Sequence, residues 1–179
     1  KPLALNLRDV LEAHSLAVSR GIPIVENYWM RFSPLFRSLK QLICEKTLGE
    51  PQSFAYTYSK GLWNSGSHAV NYLLYLFGAP VWAQAGSMRP LDTGDYNVDA
   101  ILGFENGFTA HLLCCDYRNH FTTDQLLYCE RGGIRIERNG TEVTLLRAQR
   151  QSSFTAFSEL VEDPLIQFDT EIGQPMMTL

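Results

Sequence analysis

The residues best suited to chemistry gather in one short stretch. His68, Asn71, Tyr72 and Tyr75 recur at i, i+3, i+4 and i+7, on one stripe of a helix predicted over about 67–77. Beside it runs an apolar stripe of Val70, Leu73, Leu74 and Phe77. A helix with one face in a core and another of histidine, amide and phenol is suited to lining a cleft. Histidine titrates near neutral pH and can take or give a proton there. Just upstream, Trp63 could stack on an apolar ligand face, and Asn64 can both donate and accept hydrogen bonds.

Other chemistries lack their signatures. No Gly-x-Gly-x-x-Gly follows a strand, no Gly-x-x-x-x-Gly-Lys-Ser/Thr cradles a phosphate, and no Gly-x-Ser-x-Gly elbow presents a nucleophile. The four histidines, His14, His68, His111 and His120, are not spaced as metal ligands, so no metal site is expected. None of the four cysteines forms a Cys-x-x-Cys pair, and adjacent Cys114 and Cys115 would point to opposite faces of a strand. Reduced, largely buried thiols in a cytoplasmic protein are the expectation. The net charge of -4 argues against a nucleic-acid or membrane-surface grip, and no apolar run could cross a bilayer.

The elements around this stretch can be read from periodicity. The 179 residues, 45% hydrophobic and 19% charged, have the size and composition of about one globular domain. Asn6 caps an opening helix with a stripe of Val10, Leu11, Ala13, Ala17 and Val18, and Gly21 stops it. Ile22 to Tyr28 reads as a strand. Ser33 and Pro34 start a second helix carrying Leu35, Phe36, Leu39, Leu42 and Ile43. Strands are predicted at Phe54 to Ser59, Val81 to Met88, Ala100 to Phe104, Phe108 to Cys115, Gln125 to Glu130, Ile134 to Arg138 and Glu142 to Leu146. Glu105-Asn106-Gly107, Arg131-Gly132-Gly133 and Asn139-Gly140 are hairpin turns between them. A short helix could lie at Phe154 to Glu162. Helices first and a meander of strands after them predict an α+β domain with a large, mainly antiparallel sheet.

The order of several short motifs resembles the Gfo/Idh/MocA oxidoreductases, relatives of glucose–fructose oxidoreductase and inositol dehydrogenase. That family carries Glu-Lys-Pro, a strand leading into Arg-Phe-x-Pro, and a helix ending near Leu-Gly-Glu. This chain has Lys1-Pro2, then Asn27-Tyr28-Trp29-Met30-Arg31-Phe32-Ser33-Pro34, then Leu48-Gly49-Glu50. The family's Asp-x-Gly-x-His-x-x-Asp and Phe-Gly-x-Pro are matched by Asn64-Ser65-Gly66-Ser67-His68-Ala69-Val70-Asn71 and Phe77-Gly78-Ala79-Pro80. The segment around Asn64-Ser65-Gly66-Ser67-His68 looks like a variant found among polysaccharide and nucleotide-sugar biosynthesis oxidoreductases.

The resemblance implies an open-faced sheet with helices on one side, preceded by the last helix and strand of a Rossmann-type domain. Residues 1–28 would be that remnant and 29–179 the substrate-binding and oligomerisation domain. It implies NAD or NADP as cofactor of the intact protein, with neither expected to bind this chain alone, because the pyrophosphate fingerprint would lie upstream. The family's catalytic positions fall on Lys1, Asn64 and His68, with Lys1 and Pro2 beside the cofactor. His68 would be the acid/base and Lys1 an electrostatic partner for a developing alkoxide. Tyr28, Arg31, Trp63, Asn71 and Tyr75 would contact a sugar or nucleotide-sugar substrate, and the sheet face would join copies in a homo-oligomer. The chain departs from the family where acids are usual, at Asn64 and Asn71. An amide takes no proton, and without the carboxylate an imidazolium at His68 is less stabilised. A non-catalytic binding or assembly module derived from the same fold is the alternative.

Overall fold

A computed structural model describes residues 2–150 and 157–163 of the chain. Helix α1, Leu7–Ser19, begins where the Asn6 side chain accepts a hydrogen bond from the Asp9 N–H at 2.9 Å. It ends where Gly21 turns at φ +63° and the Ile22 N–H reaches back to the Ala17 carbonyl at 2.9 Å. Helix α2, Pro34–Cys44, starts at Pro34 as predicted, but the Ser33 hydroxyl makes no capping bond. Strand β1, Pro51–Ser59, is followed by a turn of π-helix, Gly61–Gly66, that runs straight into α3, Ser67–Phe77. Seven strands complete the described chain: β2 Trp82–Pro90, β3 Tyr96–Gly103, β4 Thr109–Cys115, β5 Gln125–Cys129, β6 Gly132–Glu137, β7 Glu142–Arg150 and β8 Ser158–Glu162.

All eight strands join one sheet in the order β2-β3-β4-β1-β5-β6-β7-β8. Every neighbouring pair is antiparallel except β1 with β4, which run parallel from Ser53↔Thr109 to Ser59↔Cys115. The connection explains the exception. After β1 the chain leaves the sheet, crosses one face as α3, and returns through β2 and β3, so β4 arrives in the same direction as β1. The architecture is α+β, with a large open sheet that is mostly antiparallel.

Burial alternates along the central strands. Phe54, Tyr56 and Tyr58 of β1 and Ala110, Leu112 and Cys114 of β4 are buried, while Ser53, Ala55, Thr57, Thr109, His111 and Leu113 between them are not. The buried set meets Leu35, Phe36 and Leu39 of α2 and Ala69, Tyr72, Leu73 and Leu76 of α3 in one core. The other face is left open and carries the exposed Trp82, Leu113 and Tyr128.

Three expectations are corrected. Residues 22–28 form no strand, and Ile22, Ile24 and Val25 are exposed. A β-rich run forms a strand only beside a partner that takes its N–H and C=O groups, and among the described residues none lies alongside. Ser158–Glu162 is strand β8, paired with β7 from Arg150↔Ser158 to Leu146↔Glu162, where a helix was expected. The Phe154 to Ala156 part of that expectation lies outside the described residues. The buried stripe of α3 is also rotated from the predicted one: Tyr72 is 1% exposed and Leu74 38%. The Tyr72 ring packs edge-on against Phe36 with centroids 4.8 Å apart, so it belongs to the core and not to a cleft.

Candidate active site

The site is built where β1 gives way to α3. Tyr58, fully buried, donates from its hydroxyl to the Val98 carbonyl at 2.6 Å and accepts from the Val98 N–H at 3.2 Å, locking β1 across to β3. Burial pushes this phenol well above its ordinary pKa and keeps the donor in place. Lys60 then adopts a left-handed conformation, φ 73°, and turns the chain off the sheet.

The π-helical turn that follows opens with N–H groups that have no partner inside the helix. Residues of β3 and of the loop before it supply the partners. The Gly61 N–H donates to Asn97 Oδ1 at 3.1 Å, and the Trp63 N–H donates to both carboxylate oxygens of Asp95 at 3.1 Å. The Asn64 N–H adds a bond to Asp95 Oδ2 at 3.3 Å. A carboxylate at a helix N-terminus also meets the positive end of the helix dipole. Gly61 must be glycine for this clasp, because φ is +85° and a Cβ would lie 2.1 Å from Asp95 Oδ2. The Ser67 hydroxyl donates to the Asn64 carbonyl at 2.8 Å, joining the turn to the first residue of α3. Backbone and capping bonds on both sides thus fix Asn64 and His68.

Two cavities meet at these residues. One, of about 480 Å³, is lined by Leu5, Lys60, Trp63, Leu91, Asp95 and Tyr117 together with Asn64 and His68. The other, of about 310 Å³, also includes Asn64 and His68 and is lined by Trp29, Met30, Phe36 and Phe121 together with Tyr56, Thr123, Gln125 and Asn139. His68 therefore stands on the wall common to the two, with the ring of the buried Tyr28 edge-on at 5.2 Å. Burial raises the Tyr56 phenol above its ordinary pKa, so it stays a neutral hydroxyl in the second cavity.

The other candidates divide. Trp63 joins His68 and Asn64 at the first cavity. Tyr28 reaches His68 through its ring but lines neither cavity. Arg31, Asn71 and Tyr75 form a separate group. Arg31 Nε donates to Asn71 Oδ1 at 2.7 Å, and its guanidinium lies 5.5 Å from the Tyr75 ring centre. Lys40 approaches the same ring to 4.4 Å and donates to the Tyr75 carbonyl. None of these three residues lines the two cavities. Lys1 lies outside the described residues. Pro2 lines neither cavity, yet Leu5, three positions on, lines the first, so the segment after Lys1-Pro2 runs beside His68's cavity.

Sequence reasoning missed Asp95, Asn97, Tyr56 and Gln125. Asp95 sits in an ordinary turn, Asp92-Thr93-Gly94-Asp95, and its partners lie more than thirty positions upstream. Gln125 interrupts the apolar alternation of β5 at a position that the register puts on the core side, opposite Tyr56 and Ile136. A polar residue at a core-facing position was the one available signal. Among the described residues no cluster of His, Cys, Asp and Glu could hold a metal ion, and no helix is long and apolar enough to cross a membrane.

Known proteins share this architecture. The mouse trans-1,2-dihydrobenzene-1,2-diol dehydrogenase is 26% identical over 132 residues, covering 64% of this chain and 40% of the mouse protein. The enzyme of the same name from Macaca fascicularis is 33% identical over 101 residues, 56% of this chain and 27% of the relative. The chain thus spans well under half the length of these curated relatives. A 3-ketoreductase from Actinomadura kijaniata, solved with NADP, superposes with a TM-score of 0.67 at 20% identity, covering 90% of this chain and 54% of that one. An NAD binding oxidoreductase from Klebsiella pneumoniae gives 0.64 at 18% identity over 90% of this chain and 52% of that one. Residues 55–135, from β1 through the His68 helix and into β6, match the family model described as the GFO/IDH/MocA C-terminal domain. With its open sheet, its crossover helix and this match over residues 55–135, the chain resembles the C-terminal domain of the Gfo/Idh/MocA oxidoreductases.

Proposed function

We propose that this chain is the substrate side of an NAD(P)-dependent oxidoreductase that moves a hydride to or from a carbon of a sugar or nucleotide sugar. The observation that carries this reading is the position of His68 and Asn64 on the wall shared by two cavities, one bordered by the segment after Lys1-Pro2 and the other lined by aromatic rings together with amides and a hydroxyl. One cavity would take the reacting ring of the cofactor and the other the substrate. A volume of about 480 Å³ beside Leu5, Trp63 and His68 fits a nicotinamide ring. The rest of the dinucleotide would be held by a dinucleotide-binding domain, of which residues 1–28 would be the last part. The exposed apolar stripe of α1 is the surface on which that domain would pack.

The bound nicotinamide would supply the hydride acceptor or donor. His68 takes the proton from the substrate hydroxyl while the carbon bearing it loses hydride, so a carbonyl forms; in reduction His68 returns that proton. The Tyr28 ring limits the orientations open to the imidazole. Asn64, held through its backbone by Asp95, offers a neutral hydrogen-bonding side chain to the substrate or to His68. Lys1 would stabilise the developing alkoxide. Asn71 is occupied with Arg31 and would act on the site only through the packing of α3. The open sheet face, with Trp82, Leu113 and Tyr128 more than 40% exposed, would join copies of the protein in a cytoplasmic homo-oligomer.

The test uses the full-length protein, followed by nicotinamide absorbance against a panel of sugars and nucleotide sugars. The His68→Ala variant is expected to lower turnover by about 10²–10⁴ without loss of fold. An unchanged rate would remove His68 from the reaction. If the full-length protein neither binds a nicotinamide cofactor nor oxidises any sugar, the non-catalytic module, which the amides at Asn64 and Asn71 favour, takes its place.

A further inference from the structure

The second cavity contains a polar group that the proposed reaction leaves unused. Gln125 is the first residue of β5 and 4% exposed, its side chain on the core side of the sheet between Tyr56 of β1 and Ile136 of β6. Its Oε1 is buried, and among the described residues nothing donates to it. Leaving a buried amide oxygen unpaired is costly, and such groups are uncommon in folded proteins. Gln125 is nevertheless part of the cavity wall that also contains His68, so a ligand there is a ready source of the missing donor.

The surrounding wall narrows the chemistry of that ligand. Near Gln125, the Thr123 hydroxyl donates to Asn139 Oδ1 at 3.2 Å, which holds Asn139 in its left-handed conformation at φ 59° beside the cavity. The lining also includes aromatic and aliphatic groups, with Trp29 and Phe36 in an edge-on pair at 5.6 Å, and Met30. Among the described residues no lysine or arginine lines this cavity, in contrast to the neighbouring one with Lys60. A carboxamide offers an acceptor and two donors, and a hydroxyl answers both because it donates and accepts. A carboxylate or phosphate only accepts. It would leave Gln125 Oε1 unpaired, and among the described lining residues only the His68 imidazole could offset its charge.

We propose that Gln125 is a specificity-determining residue whose side-chain amide hydrogen-bonds a hydroxyl of the substrate ring, so that the end of the substrate seated against β5 is a neutral polyol. The assignment rests on the reading of the His68 cavity as the substrate pocket. It goes further by stating what that pocket selects. The aromatic wall receives the C–H face of a pyranose and the amide wall its hydroxyls, an amphipathic match that a flat apolar ligand or an anion lacks.

The experiment measures binding, not turnover, on the full-length protein, using saturation-transfer NMR and calorimetry. The probes are D-glucose, D-galactose, the monodeoxy derivatives of whichever hexose binds better, and D-glucuronate. For the wild type, one monodeoxy derivative is expected to bind about 10–100-fold more weakly than its parent, and D-glucuronate at least tenfold more weakly. In Gln125→Met the parent hexose weakens by the same 10–100-fold, and the difference between parent and that derivative disappears, as a direct contact requires. Circular dichroism checks that the variant folds, and the wild-type comparisons stand even if it does not. The proposal is overturned if D-glucuronate binds the wild type as well as the hexoses, if no single hydroxyl matters, if Gln125→Met binds every probe as the wild type does, or if neither hexose binds. Hexose binding that follows this pattern without nicotinamide turnover would sustain the Gln125 assignment while ending the oxidoreductase reading. Turnover of a substrate indifferent to Gln125 would do the reverse.

Discussion

Helix α1 carries Leu7, Leu11, Leu16 and Val18, each more than half exposed, and buries no residue along its 13 positions. Helix α3, with 11 positions, buries Ala69, Tyr72, Leu73 and Leu76 against the sheet and α2. Both have apolar stripes at helical spacing, and both have recognisable ends. They differ in what holds them. The bonds of α1 are local: the Asn6 cap, the Arg8–Glu12 ion pair at 3.1 Å and the turn at Gly21. The turn leading into α3 is tied to residues some thirty positions away, Asp95 and Asn97, while the helix itself is covered by Phe36 and the sheet. An apolar stripe specifies which face of a helix has to be covered. What covers it is decided elsewhere in the chain or in another part of the protein.

The largest expected effect comes from truncating the same residue type in the two helices. Leu73→Ala should lower the unfolding free energy of this chain by about 2–5 kcal/mol, since the side chain is fully buried and its loss leaves a cavity. Leu11→Ala, at 58% exposure, should change it by less than about 0.5 kcal/mol. Urea denaturation followed by circular dichroism measures both. Equal losses would mean that α1 is packed in solution and would break the contrast. Repeating Leu11→Ala in the full-length protein sharpens it, because the cost should rise toward that of Leu73→Ala if a dinucleotide-binding domain covers the stripe.

The next effect concerns the clasp between α3's entry turn and β3. Gly61→Ala forces a Cβ against the Asp95 carboxylate and strains a φ of +85°. The expected cost is about 1–3 kcal/mol. The Asp95 bonds to Trp63 and Asn64 should loosen, and any binding at the His68 cavity should weaken with them. Thermal melts and probe titrations check the two parts. An unaltered protein would show that the clasp does not position the turn.

How far the sequence led depends on how local each feature is. Caps and turns were legible: Asn6, Gly21, Pro34 and the Glu105-Asn106-Gly107 hairpin act within a few residues. The strands were legible because their alternation reflects a sheet covered on one face and open on the other. The rotation of α3's buried face was not, since nothing in the 3.6 period says whether Tyr72 or Leu74 will meet Phe36. Residues 22–28 have the composition of a strand but lack a neighbour to pair with. In the candidate site, His68, Asn64 and Trp63 came from one contiguous segment, and the structure brings them to one cavity. Asp95 and Gln125 reach the same place through the register of β3 and β5, which pairwise contacts in space determine. Arg31, Asn71 and Tyr75 were expected at the substrate, Asn71 and Tyr75 from the stripe they share with His68. In the structure Arg31 meets Asn71 and Tyr75 and joins α3 to the segment before α2.

The smallest effect extends the comparison to the thiols. Cys44 closes α2 and is exposed, while Cys129 ends β5 and is buried. Burial, with smaller contributions from the charges of Glu130 and Glu50, pushes the Cys129 thiol up from 9.0 to about 11. Since the thiolate is the nucleophile, iodoacetamide at pH 8 should modify Cys44 at least tenfold faster than Cys129, as peptide mass spectrometry would read. The same shift has a signed consequence for stability. The folded state holds the Cys129 proton more tightly than the unfolded state, so the contribution is fully present below pH 9 and is lost as the pH rises from 9 toward 11. The loss should be on the order of 1 kcal/mol by pH 10. Cys129→Ala, which has no thiol to titrate, should lose less stability between pH 9 and 10 than the wild type, whatever its starting point. Matching slopes for the two proteins, or equal alkylation of Cys44 and Cys129, would mean that the β5 end of the core opens to water as readily as the rim of α2. Packing would then no longer separate the two regions.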